Sequence, residues 1–202
     1  MGRRTLGIAR TLAISSLVAA VMIPIQSSPS SAQTCANADL LPPVGNSAQD
    51  RAARQQVAFA VGCLIQAEHR KATGRALVGS LPLARAAGAH AQASVTHKWW
   101  ASSNSHVNPR TGSTIDSRIR AQGFCGTRPV AQTAEITYNG SGSGSTARAA
   151  VNWWMNSPGH RAIITSSSLT DVGIGYMPGL ANTSIPSSNN MMTYVLNFGR
   201  CA

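Results

Sequence analysis

Apolar positions recur first at helical spacing and only later in the runs of strands. From Arg51 to Thr73, Val57, Val61, Leu64 and Ile65 share a helical face, and Gly74 is a natural stop. Leu83 to Trp100 is Ala-rich with few breakers and predicts a second helix; Asn104 to Gly112, with Pro109 and Gly112, predicts a loop. Ser113 to Gln122 predicts a short helix with Ile115 and Ile119 on one face, ended by Gly123. Then the pattern changes. Thr133 to Tyr138 is β-rich, Gly140 to Gly144 alternates Gly with Ser as a flexible loop, and Thr146 to Asn156 returns to helix, with Val151 and Trp154 sharing a face. Val172 to Tyr176 and Tyr194 to Phe198 predict strands, separated by a Pro-, Gly-, Ser- and Asn-rich connection over Pro178 to Asn190. Helices come first and strands late, which predicts an α+β domain with helices packed on a mostly antiparallel sheet. No internal repeat interrupts this order.

The N-terminus follows another pattern. Arg3, Arg4 and Arg10 precede an uncharged apolar run from Leu12 to Ile25, and Ser30-Ser31-Ala32 offers the small-x-small pattern of a cleavage site. This is the layout of a secretory signal over residues 1–32. Pro24 interrupts the run, which is also shorter than the roughly 20 residues of a membrane span. The Arg3-Arg4 pair leaves a twin-arginine export route open beside the general one. Residues 33–50, with Pro42-Pro43, Gly45 and Asn46, read as an extended leader, and residues 51–202 as the domain.

Export changes the meaning of the cysteines. Cys35, Cys63, Cys125 and Cys201 all lie beyond the cleavage site and none forms a Cys-x-x-Cys, so two disulfides are expected rather than a thiolate metal site. Spacing alone does not choose among the three pairings; Cys35 with Cys63 and Cys125 with Cys201 is the favoured one.

Charge narrows the function classes. The whole chain carries +11; without Arg3, Arg4 and Arg10 the remaining 170 residues have 14 basic and 6 acidic side chains, a net +8. These basic residues are scattered, with no aromatic-interleaved basic stripe, so nucleic acid ranks last among partners. At 43% hydrophobic and 11% charged, the composition excludes a charge-driven disordered chain. Ionisable candidates are few: five histidines (His69, His90, His97, His106, His160) and six carboxylates (Asp39, Asp50, Glu68, Asp116, Glu135, Asp171). Neither a His-Glu-x-x-His, a Gly-x-Ser-x-Gly nor a phosphate-binding glycine loop occurs. His90 and His97 are seven residues apart and read as a solvated helix surface. His106 lies in a loop stiffened by Pro109 and Gly112. His160 follows Ser157, a good N-cap, and Pro158, a good first helical residue, so it falls in a first helical turn whose positive end disfavours imidazolium. Of the four tryptophans (Trp99, Trp100, Trp153, Trp154), at least two are expected in the core.

Six segments occur in an order that resembles one family. They are Cys63 to Arg70, Leu81-Pro82-Leu83, His106 to Gly112 with Arg118-Ile119 and Gly123-Phe124, Trp154 to Arg161, Gly173-Ile174-Gly175, and Asn197-Phe198-Gly199. Trp-Met-Asn-Ser-Pro-Gly-His-Arg is the most specific block. The order is similar to that of the CAP superfamily of cysteine-rich secretory proteins, antigen 5 and pathogenesis-related proteins, and closest to its secreted bacterial members with SCP-like domains. The resemblance spans Arg51 to Arg200. It implies a three-layer α-β-α sandwich with an open cleft holding two histidines and one or two glutamates. His106 and His160 match the two histidines, and Glu135 the glutamate. Some members hold a divalent metal through the histidines, so Zn²⁺ or a similar ion on His106 and His160, with Glu135 as orienting group or base, is implied as a site with few ligands.

This chain departs from the family pattern in two places. Ile136 replaces the Asn that usually follows the glutamate, and Thr146 to Ser157 holds no second acid, leaving Asp171 as a neighbour in sequence. Both histidines can equally be structural. Two functions compete: a secreted, monomeric protein that binds a lipid, a sterol-like molecule or a cell-envelope component, as the resemblance implies, and a metal-assisted hydrolase or peptidase with His106, His160 and Glu135 as catalytic residues. The scarcity of acids favours binding.

Overall fold

The computed structural model describes residues 35–202; the expected signal over 1–32 lies outside them. Helix α1 (Ala48–Thr73) starts three residues before the expected point because Ser47 and Asp50 form a reciprocal capping box, and it ends on Gly74 at φ +70°. A two-residue strand, β1 (Val78–Gly79), leads into α2 (Leu81–His97). Then come α3 (Ile115–Ala121), β2 (Val130–Ser141), α4 (Ala147–Asn156), α5 (Pro158–Ile164), β3 (Asp171–Pro178) and β4 (Met191–Cys201). Among the described residues, no helix is long and apolar enough to cross a membrane.

The sheet order is β1-β3-β4-β2. β4 pairs antiparallel with both neighbours, whereas β1 pairs parallel with β3, so the sheet is mixed. Strand alternation divides the core. Ile136, Tyr194, Leu196 and Phe198 point to one face and pack with Val57, Val61, Val151 and Trp154 of α1 and α4. Val195 points to the other, against Ala87 and Ala91 of α2. These are the expected three layers. Trp99 and Trp154 are buried, while Trp153 is half exposed.

The Gly-Ser stretch is anchored rather than flexible. Gly140 and Ser141 complete β2, and Gly142–Ser145 form one 3₁₀ turn. Tyr138 Oη donates to the Gly144 carbonyl at 2.7 Å, and Tyr194 Oη to that of Ser145 at 2.6 Å. Disulfides join Cys35 to Cys63 and Cys125 to Cys201. The leader is also held by Arg54, whose Nη1 donates to the Pro43 carbonyl at 3.0 Å.

Gly173 and Gly175 let α2 lie directly on the sheet. A β-carbon at 173 would stand 2.1 Å from Ala84 N, and one at 175 would stand 2.2 Å from the Ala87 carbonyl carbon. Backbone atoms cannot step aside, so Gly173→Ala should destabilise by about 1–3 kcal/mol. Thermal unfolding checks this; an unchanged melting temperature would mean that α2 sits further from the sheet.

Candidate functional site

Glu135 and Asn197 face each other across the β2–β4 pair, on the α2–α3 side of the sheet. The Glu135 side chain has no exposed surface. An isolated buried carboxylate would be prohibitively costly, and here three donors compensate it. His106 Nδ1 lies 3.0 Å from Oε1, and Arg118 Nη2 lies 2.8 Å from Oε2. Asn197, with its amide turned to satisfy both ends, donates to Oε2 at 2.8 Å and accepts from the Ala87 N–H at 3.1 Å.

The carboxylate settles the His106 tautomer. An ionised carboxylate only accepts, so His106 Nδ1 is the donor of this pair, and the neutral form of the ring is the tautomer whose Nε2 lone pair is free. Arg118 also holds the loop that presents this ring, donating to the backbone carbonyls of His106 at 3.1 Å and Ser113 at 2.9 Å. α3 aims Arg118 from a second capping box, in which Thr114 Oγ1 accepts from Ser117 N–H and Ser117 Oγ accepts from Thr114 N–H.

His160 is the third residue of α5, as expected. Ser157 is the N-cap by position, but its hydroxyl meets His160 Nδ1 at 2.8 Å instead of capping a backbone N–H. Burial lowers the His160 pKa from its ordinary value, and the nearby His106 lowers it further. The ring also lies 5.0 Å from that of Trp153. Asp171 does not join this group: it opens β3 opposite Gly199 and accepts from Thr170 Oγ1 at 2.6 Å.

A model of the cysteine-rich secretory protein family, CAP, matches residues 65–198, a span that holds His106, Arg118, Glu135, His160 and Asn197. The chain belongs to the CAP family. Among solved structures, this CAP domain is similar to an outer surface protein of Borrelia burgdorferi, with 20% identity, 68% of this chain and 87% of that one covered, and a TM-score of 0.52. It is also similar to an extracellular protein of Bacillus anthracis containing an SCP domain, with 18% identity, 77% and 44% coverage, and a TM-score of 0.52. These two likenesses concern the fold. No curated protein sequence matches it.

His90 corrects the expectation of a solvated helix surface. It is 1% exposed, while His97 is exposed. His90 Nε2 donates to the Ser105 carbonyl at 2.7 Å, bracing the residue before His106, and its Nδ1 is buried without a partner. The signal was present: Leu83, Ala87, His90, Ala91 and Ser94 form a helical stripe, all of it buried. Arg118 and Asn197 offered no such signal, because their shared partner is distant in sequence.

Burial is the main force lowering the His90 pKa. Arg118 and His106 add to that effect, against Glu135 and the Ser105 carbonyl. The unfolded chain protonates both His90 and His160 near the ordinary pKa of about 6.5, while the folded chain resists until lower pH. Between those values the unfolded state binds more protons, so stability falls as pH drops from about 7 through this window. Asp39, Asp50 and Asp116 have lowered pKa values, so their contribution is lost only below about pH 4. His90→Gln keeps an N–H for Ser105 without titrating, and should flatten the loss of melting temperature between pH 7.5 and 5. An unchanged slope would assign the loss elsewhere.

Chemically, the site offers two imidazoles whose Nδ1 atoms are engaged and whose Nε2 atoms are not. Among the described residues, no group of three or more His, Cys, Asp or Glu could hold a metal ion. Glu135 is committed to its three donors.

Proposed function

We propose that this CAP domain is exported and binds a lipid or other long-chain apolar component of the cell envelope. The observation that carries the reading is an open groove of about 510 Å³ between α1, the start of α2 and β3, lined by Ala58, Phe59, Leu81, Ala84, Val172 and Ile174. Phe59 is 68% and Leu81 60% exposed, an apolar surface that folding alone does not explain. Each acyl methylene buried there contributes about 0.8 kcal/mol. The two disulfides suit an oxidising compartment, and the outer-surface and extracellular locations of the two similar proteins support export.

Solvent extraction of the purified protein followed by mass spectrometry should recover a specific lipid. The Phe59→Glu/Leu81→Glu variant should bind a fluorescent fatty acid at least tenfold more weakly, a loss of about 1.4 kcal/mol or more. Repeatedly empty extracts together with unchanged binding by the variant would end this reading.

A second reading rests on the His106 tautomer. A carboxylate that orients an imidazole is a common support for a bound metal, so the two Nε2 atoms suit Zn²⁺ or a similar ion completed by water. Such an ion would supply Lewis-acid polarisation. Glu135 would then act as a positioning residue, because its carboxylate has no exposed surface from which to take a proton from water. For that reason we favour binding over hydrolysis. Zn²⁺ titration of the wild type against His106→Ala and His160→Ala, with a substrate screen, tests both parts; no Zn²⁺ binding by the wild type would close this reading.

A further inference from the structure

At the opposite edge of the sheet from the apolar groove, a cavity of about 280 Å³ opens beside β2. Its size lies near the lower limit of small-molecule sites, on the order of 300 Å³. Trp100, Tyr138 and Trp153 contribute aromatic surface, and no lining residue is charged. Trp153 is 49% exposed, with its ring 5.4 Å from Tyr138 and 5.0 Å from His160. A half-exposed tryptophan held between two rings presents a rigid apolar plate.

The polar groups around the cavity are unevenly used. Asn139 Oδ1 accepts from the Asn182 N–H at 3.2 Å, and Asn182 Oδ1 accepts from the Ser184 N–H at 2.9 Å. Each amide oxygen therefore already accepts one bond, while neither Nδ2 has a protein acceptor among the described residues. The Ser105 and Thr137 hydroxyls share one hydrogen bond at 3.0 Å, which uses one of their two O–H donors. The site is left with surplus N–H donors, no formal charge and aromatic walls.

We propose that this cavity binds an uncharged saccharide. Sugar rings present C–H faces that pack on aromatic plates, and their hydroxyl, ether and acetamido oxygens accept hydrogen bonds from surplus donors. An acyl chain would leave those donors unsatisfied, and an anionic glycan would find no cation in the lining. Trp153 packs against His160, so an occupant lies next to the histidine cleft. The site is separate from the lipid groove and does not depend on it.

The test uses chitotetraose, cellotetraose and mannotetraose as probes, followed by tryptophan fluorescence and calorimetry. At least one should bind saturably. Trp153→Ala should weaken that binding about tenfold or more, and Asn182→Ala, which removes an amide donor, by a comparable factor. Phe59→Glu in the lipid groove should leave saccharide affinity unchanged. Saturable binding to none of the three probes would overturn the proposal. So would affinity unaffected by both Trp153→Ala and Asn182→Ala, or equal binding of an uncharged tetra-alanine peptide.

Discussion

Arg118→Ala should cost about 3–5 kcal/mol of folding stability, because it strands a charge that has no access to water. The Glu135 side chain is 0% and that of Arg118 9% exposed, and the two meet at 2.8 Å. His106 and Asn197 would remain as Glu135 partners, but a neutral imidazole and an amide do not balance a full negative charge. The same substitution releases the His106 and Ser113 carbonyls, so the loop carrying His106 should loosen with it. The loss is a large share of the roughly 5–15 kcal/mol typical of a domain. Denaturant unfolding measures it, and the double variant Arg118→Ala/Glu135→Gln should recover part of it by removing the stranded charge. A loss under about 1 kcal/mol would place the pair in the weak, solvent-screened class.

The second large effect concerns Cys125–Cys201. The bond joins residues 76 apart in sequence, against 28 for Cys35–Cys63. Loop-closure entropy alone gives about 4.5 kcal/mol for the longer loop and about 3.6 for the shorter. Packing widens the gap. Cys125 and Cys201 pack against the small cluster of Leu83, Ala86, Ile119 and Phe124, which seats α3 and hence Arg118. Beside it, a β-carbon on Gly199 would stand 2.4 Å from the Phe124 ring, so the end of β4 and the segment that follows α3 are closely matched. The Cys125→Ser/Cys201→Ser variant should therefore lose about 2–5 kcal/mol and melt below Cys35→Ser/Cys63→Ser. The reverse order would show that the leader, not the end of β4, limits unfolding.

Much of the architecture follows from local physics. The apolar stripe of α1, with Gly74 at its end, specifies most of that helix before any packing, and the Ser47 capping box adds the three residues ahead of Arg51. Ser157-Pro158 starts α5 and places His160 in its first turn for the same local reason. β1 escapes such reading because two residues carry no periodicity, and its parallel pairing with β3 arises only when the chain returns there. The Gly-Ser stretch misleads because its composition is that of a linker, while Tyr138 and Tyr194 reach it from the sheet and pin it.

The site divides along the same line. His106, Glu135 and His160 are legible by their place in the order of segments, and the few acids in the chain leave Glu135 as the matched carboxylate. What those side chains do is another matter. Glu135 is a buried anchor because Arg118, His106 and Asn197 converge on it from a helix, a loop and a strand. His90 turns inward because its helix stripe lies on glycines that admit α2 to the sheet. Most elements, the cysteine set and the candidate residues were readable along the chain, since each depends on neighbours within a few positions or on the order of segments. Tautomer, burial and surplus donors emerged with the folded chain, because each depends on groups brought together from distant positions.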